Sequence, residues 1–299
     1  MSALETLLSQ YRTVSLTNSQ ELYPESEGQG LPLIQVKSPL CQAVIALQGA
    51  QILEFKNSAG TPLLWLSPQC RFNPGSALRG GIPLCLPWFG PHPTDASKPQ
   101  HGYARTRNWE LTQVAENDEG RCELTFELVS EPGPLFDYAF TCVLRMTLSR
   151  HVDIQLSVTN RDSQAFDFSW AFHSYFPVRI LEQARVKGLA GRDYRDNLEQ
   201  LITKTQDQDL GFVGEVDRVF PGIEQAVEIA GEPTIRIEHD QCPSVITWNP
   251  GPDNAAAMAD VGAGNEQGFI CVERGAVLDE AWHLDAGETR TAWMRISEA

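Results

Sequence analysis

Hydrophobic residues in this chain recur with a period of two in many short runs, each closed by a cluster of turn-forming residues. The clearest run is Val152-Asp153-Ile154-Gln155-Leu156-Ser157-Val158. Its apolar side chains fall on one face of an extended segment and its polar ones on the other, the pattern of a strand half-buried against a core. Comparable runs rich in β-branched and aromatic residues span 33–36, 42–47, 51–55, 62–66, 110–114, 121–129, 138–148, 166–172, 226–229, 234–239, 244–248, 269–273 and 289–296. Between them stand clusters such as Asn57-Ser58-Ala59-Gly60 and Asn117-Asp118-Glu119-Gly120, whose residue types reverse a chain between antiparallel strands. Only the N-terminus reads as a helix. Ser2 precedes Glu5 by three residues, as in a capping box, and Leu4, Leu7, Leu8 and Tyr11 follow at helical spacing. This pattern predicts an all-β fold, a large antiparallel β-sandwich. In the run 166–172, alternation places Phe166, Phe168, Trp170 and Phe172 on one face, so His173 falls with Asp167 and Ser169 on the polar side.

The chain has 299 residues, Pro and Gly are spread along it, and neither a linker nor a repeat of fixed period divides it. A single domain covering 1–299 is the expectation. The formal net charge is −16 and the 23 basic residues form no run, which disfavours a nucleic-acid backbone or an anionic membrane surface as partner. An anionic small molecule would need a local positive cluster to override that field. The seven cysteines are an odd set without a C-x-x-C pair, and several lie in apolar runs, so reduced, buried thiols are expected. Neither a signal-peptide pattern nor an apolar run long enough to span a bilayer is present, and the expected location is the cytoplasm.

The segment from Arg79 to Arg105, RGGIPLCLPWFGPHPTDASKPQHGYAR, brackets a loop rich in Gly, Pro and aromatics with two arginines. The guanidinium fork matches phosphate or carboxylate, and the Gly80-Gly81 step would let backbone N–H groups approach the same oxygens. Lys98 is a third candidate cation. Taken singly, Arg79 and Arg105 read as surface ion-pair formers and His101 as a satisfied core or turn histidine; their joint occurrence weakens that reading, and the two arginines suggest an anion held between them. The six histidines lie far apart in sequence, which disfavours a metal enzyme. Neither a G-x-S-x-G elbow nor a glycine-rich nucleotide fingerprint occurs.

Four pieces in one order give this loop its meaning: RGGIPLCLPWFG with QHGYAR, Phe172-His173-Ser174-Tyr175-Phe176, Asp217-Arg218-Val219-Phe220, and Trp248-Asn249-Pro250 through Cys271-Val272-Glu273. Together they resemble the hexose-6-phosphate mutarotases (glucose-6-phosphate 1-epimerases) of the aldose 1-epimerase superfamily. The resemblance implies a galactose-mutarotase-like supersandwich and a cofactor-independent exchange of sugar anomers.

That exchange needs a base to take the proton of the anomeric hydroxyl and an acid to protonate the ring oxygen, each with a pKa near working pH. Glu273 ends the apolar run Phe269-Ile270-Cys271-Val272, where desolvation would raise its pKa, and the resemblance makes it the base and His173 the acid. Without the resemblance, Glu273 reads as a strand-end carboxylate paired with Arg274, His173 as a core histidine, and Asp217 as a turn residue or a partner of Arg218. With it, Asp217, Gln100 and His101 would hold sugar hydroxyls, and Arg79 and Arg105 the phosphate. Trp88, Phe89 and Trp248 are either sugar platforms or loop anchors. The expected substrate is a hexose 6-phosphate, with no metal, cofactor or protein partner. The alternatives are an aldose 1-epimerase for unphosphorylated sugars and a carbohydrate-binding protein without turnover.

Overall fold

The computed structural model describes residues 3–299 and is built almost entirely of antiparallel sheets. A nine-stranded sheet runs, from edge to edge, through Leu210–Gly211, Arg185–Lys187, Val227–Ala230, Ile235–Asp240, Thr289–Glu298, Val152–Asn160, Phe140–Leu148, Cys122–Ser130 and Glu110–Glu116. Val152, Ile154, Leu156 and Val158 are buried while the residues between them are half-buried, as their alternation predicts. An eight-stranded sheet packs against it. Its path is Ile202–Thr205, Asp193–Asp196, Val216–Phe220, Ser244–Asn249, Phe269–Ala276, Trp170–Phe172 and Leu84–Cys85, and Tyr175–Pro177 also pairs with Phe269–Ala276. A four-stranded sheet of Val14–Asn18, Pro32–Lys37, Cys41–Ala46 and Gln51–Asn57 covers one end.

The strand Phe269–Ala276 is buried throughout, and its period of two divides it between two environments. Ile270, Val272 and Ala276 join the main core with residues of the nine-stranded sheet. Phe269 and Cys271 point the other way, into a smaller cluster with Tyr175, Trp65 and Trp248. Glu273 shares the face of Phe269 and Cys271, so the sheet delivers its carboxylate away from the core. Gly275 lets the next strand close in. A Cβ there would lie 2.2 Å from the Trp170 carbonyl oxygen, so any side chain would push Trp170–Phe172 off the strand that carries Glu273.

Two sequence expectations need correcting. The run 166–172 is not one strand. Phe166–Phe168 pairs with Trp282–Leu284, and Trp170–Phe172 belongs to the eight-stranded sheet. The switch falls at Ser169, whose N–H donates to Pro87 O (3.1 Å) and whose hydroxyl accepts from the Phe89 N–H (2.9 Å). The run 62–66 forms only isolated bridges at Pro62 and Leu66, since Pro62 lacks a ladder donor. The N-terminal helix spans Ala3–Leu8, with Leu8 buried and Leu4, Leu7 and Tyr11 packed on the core. Its expected cap, Ser2, lies outside the described residues. All seven cysteines are buried and free, and among the described residues no helix is long and apolar enough to cross a membrane.

Candidate active site

Register alone assembles the floor of a cavity on the outer face of the eight-stranded sheet. Asp217 pairs with Trp248 and Trp248 with Cys271; one step along, Val219 pairs with Ile246 and Ile246 with Glu273. Residues directly opposite one another share a face, so Asp217, Val219, Ile246, Trp248 and Glu273 all look outward, and all five line a cavity of about 820 Å³. On the other side of Phe269–Ala276, Phe172 pairs with Arg274 and Tyr175 with Cys271. His173, between these pairs, therefore stands opposite Glu273. Its Nδ1 lies 3.3 Å from Glu273 Oε1, with His173 6 % and Glu273 1 % exposed. The contact is close but not aligned as a hydrogen bond. His173 Nδ1 and Glu273 Oε2 have no hydrogen-bond partner among the described residues, which leaves both groups available to a ligand.

The environment pushes the two pKa values apart. Burial, reinforced by the Asp217 carboxylate and opposed by the Arg105 guanidinium, raises Glu273 well above the ordinary carboxylate range. Burial, then His101, Arg105 and Arg79, lowers His173 well below the ordinary imidazole range. Arg274 does not pair with Glu273. It points to the opposite face and donates to Ile223 O (2.7 Å) and Gln225 O (2.6 Å).

His101 reaches the cavity from the loop, its ring edge-on to His173 at 5.5 Å and to Phe89 at 4.7 Å. The Gly90 N–H donates to its Nδ1 (3.1 Å), so the ring proton of the neutral form sits on Nε2. Burial together with Arg105 and Arg79 lowers its pKa to about 3. His101 is thus a fixed neutral donor. Asp217 is held by Asn197 Nδ2 at 2.6 Å, and burial raises its carboxyl to about 6. Its neighbour Arg218 turns away, donating to Gln206 Oε1 (2.7 Å) and stacking over Tyr194.

The two arginines both line the cavity but differ in their commitments. Arg79 is spoken for: Nε and Nη2 each lie 3.0 Å from Asp260 Oδ2, and Nη1 donates to the Tyr175 hydroxyl (2.9 Å). Arg105 donates to the Gln100 carbonyl (2.9 Å), and among the described residues no carboxylate pairs with it. Gln100 also lines the cavity. Lys98 does not; its Nζ sits 3.4 Å from His92 Nε2. Nor does the Gly80-Gly81 step present N–H groups to an anion. Gly81 N–H donates to Trp65 O (2.7 Å), and a Cβ on Gly81 would lie 2.0 Å from Ile52 O, so the glycine serves close backbone packing. Trp88, Phe89 and Trp248 all line the cavity.

Histidine spacing missed one grouping. His173, Cys271 and Glu273 bring potential ligand atoms within 4.8 Å of one another. Burial, with Glu273 next, raises the Cys271 thiol well above its ordinary value, so a metal there would have to displace a proton from a buried thiol. Sequence reasoning also missed Asn197, Tyr175 and Asp260. Tyr175 had a signal, because it lies two residues beyond His173 in the same motif; its ring stacks on His173 at 4.9 Å. Asp260 had none, being 181 residues from Arg79. A second hollow of about 800 Å³ runs along Val14–Asn18 but brings no acid–base pair together.

The sequence profile described as Aldose 1-epimerase matches residues 32–297. Two relatives carry the provisional name glucose-6-phosphate 1-epimerase. One, from Cenchrus ciliaris, is 34 % identical over 251 residues, covering 79 % of this chain and 75 % of its own length. The other, from Escherichia coli K12, is 34 % identical and covers 81 % and 82 %. A crystal structure of a provisionally named mutarotase from Salmonella typhimurium superposes with a TM-score of 0.82 at 31 % identity, covering 89 % of this chain and 90 % of that one. The profile match and these relatives place the chain in the aldose 1-epimerase family, and it is an enzyme of the isomerase class.

Proposed function

We propose that the chain interconverts the α and β anomers of a hexose 6-phosphate, glucose 6-phosphate in the first place, by proton transfer between Glu273, His173 and the sugar. The observation that carries this reading is the buried contact between His173 and Glu273 in a cavity that Arg105 also lines. Glu273 as carboxylate takes the proton of the anomeric hydroxyl while protonated His173 gives one to the ring oxygen. The bond from C1 to the ring oxygen breaks and C1 becomes an aldehyde. After rotation about C1–C2, His173 takes the proton back from the freed hydroxyl, the ring recloses on the other face, and Glu273 returns its proton to O1.

Throughout this cycle the pair holds one proton in total. It is on His173 with the ring closed and on Glu273 with the ring open, so no external acid or base is consumed. Burial favours the uncharged arrangement, which belongs to the open-chain state; Arg105 stabilises the carboxylate but also disfavours protonated His173. Both shifts place the shared proton on Glu273 in the free site, so the bound closed sugar must favour its transfer to His173 before the ring opens. Neutral His101, Asp217 and Gln100 orient the hydroxyls, and Arg105 anchors the phosphate, with Arg79 in support.

The names of the relatives support the phosphorylated substrate. One observation favours a second reading, an aldose 1-epimerase for free sugars: Arg79 is already neutralised by Asp260, which leaves Arg105 alone as an uncommitted cation. Saturation-transfer NMR between the anomers of glucose 6-phosphate and of glucose separates them. Faster exchange of the phosphate supports the proposal, preferred exchange of free glucose supports the second reading, and exchange of neither overturns both.

A further inference from the structure

Two residues at the cavity mouth break two local rules at once. Leu201 and Leu278 adopt left-handed backbone, at φ 63° and 53°, where a side chain crowds the following carbonyl and glycine is the ordinary occupant. Gln200, before Leu201, shares that conformation at φ 55°. The same two leucines leave their apolar side chains 41 % and 44 % exposed. Both line the cavity of His173 and Glu273. Leu201 comes from the turn between Asp193–Asp196 and Ile202–Thr205, and Leu278 from the turn after Phe269–Ala276.

Neither turn is free to relax. The Leu201 N–H donates to Asp196 O (2.8 Å), and the Asp196 carboxylate accepts from the Leu198 N–H (3.1 Å) and pairs with Lys204 (3.0 Å). At the other turn, the Val277 N–H donates to Ser244 Oγ (3.2 Å), Glu280 accepts from the Gly222 N–H (2.7 Å), and the Ala281 N–H returns to Leu278 O (3.1 Å). Arg195, in the strand before the first turn, lies 3.9 Å from the exposed Asp279 of the second. Glycine would suit either backbone better, and a polar side chain would suit solvent better. An unfavourable conformer over-determined by its surroundings, twice, around one cavity is the combination expected where a ligand is handled.

We infer that Leu201 and Leu278 form an apolar clip across the cavity mouth that packs on the C–H face of the sugar ring and sheds water from the opened aldehyde. The inference rests on the mutarotase reading. Phe89, Ile246 and Trp248 already give the cavity wall an apolar character, and the clip covers the side left open. Leucine suits the task because it excludes water without offering hydrogen bonds that would arrest rotation about C1–C2. Both leucines are positioning residues and take no part in proton transfer.

The test uses the full chain with Leu201→Gly, Leu278→Gly and Leu278→Met, measuring kcat, KM for glucose 6-phosphate and the thermal midpoint. Glycine removes the backbone strain, so the midpoint is expected to stay or rise. KM is expected to rise about threefold to tenfold at each glycine site, about 0.7–1.4 kcal/mol at 1.4 kcal/mol per decade, with kcat changing less. Leu278→Met keeps the apolar cover and is expected to hold KM within about twofold of wild type. Unmoved KM in both glycine variants of an active enzyme overturns the clip alone. So does a lowered midpoint with a KM rise that Met shares. A wild type inactive on glucose 6-phosphate overturns the parent reading and the clip with it.

Discussion

Arg105→Ala tests the phosphate anchor by comparing phosphorylated with free sugar. Arg105 pairs with no carboxylate among the described residues, and its one hydrogen bond is to the Gln100 carbonyl. Truncating it therefore leaves no buried charge stranded, and the thermal midpoint is expected to hold. A charge-assisted contact to a phosphate contributes about 1.5–3 kcal/mol, so kcat/KM for glucose 6-phosphate is expected to fall about tenfold to a hundredfold at 1.4 kcal/mol per decade. The rate with free glucose is expected to fall less than the rate with the phosphate, since the neutral sugar loses only the influence of Arg105 on Glu273 and His173. Arg79→Ala provides the contrast. It strips partners from the Asp260 carboxylate and the Tyr175 hydroxyl, so its loss of activity is expected to come with a lower thermal midpoint. Saturation-transfer NMR on equilibrated anomers, with the spontaneous rate subtracted, reads both substrates. Equal losses on phosphorylated and free sugar in folded Arg105→Ala would refute the phosphate anchor.

The pH profile of kcat/KM is expected to be a broad bell whose limbs belong to the pair. Raising Glu273 and lowering His173 keeps one proton on the pair over a wide range; the acid limb is uptake of a second proton and the alkaline limb loss of the only one. Dialysis against EDTA is expected to leave rate and fold unchanged, because the proposed proton transfer between Glu273, His173 and the sugar uses no metal; activity lost to EDTA and restored by Zn²⁺ would show the His173, Cys271 and Glu273 grouping to be a working metal site. Thiol reductants are expected to have no effect, all seven cysteines being free.

The amphipathic strands were legible because the sandwich buries one side of each. Val152 to Val158 shows this, as does Thr289–Glu298 beside it. The hairpin Asp193–Asp196 with Ile202–Thr205 was not, since the first strand buries an aspartate beside its one tyrosine and the second is largely exposed, so neither shows an apolar period-two signal. That hairpin brings Asn197 to Asp217 and Leu201 to the cavity, so part of the site lay where hydrophobic pattern is silent. Asp217 itself sits within the strand Val216–Phe220, where the register with Trp248 fixes its face. The His173 and Glu273 pairing was suggested by motif, but its closeness is a tertiary fact that rests on Gly275. The engagement of Arg79 by Asp260 depends on a contact too distant in sequence to read, and it makes Arg105 the freer of two arginines that look equivalent in the loop.

The central claim is that one proton passes between Glu273, the sugar and His173. Its most direct test is the anomer exchange rate of glucose 6-phosphate with His173→Asn and Glu273→Gln, alongside equilibrium binding of the same sugar. Each replacement preserves shape and hydrogen bonding but cannot exchange the proton, so each is expected to lower turnover about 10²–10⁴-fold while binding persists. Near-wild-type exchange in either folded variant, with the spontaneous rate subtracted, would contradict the mechanism.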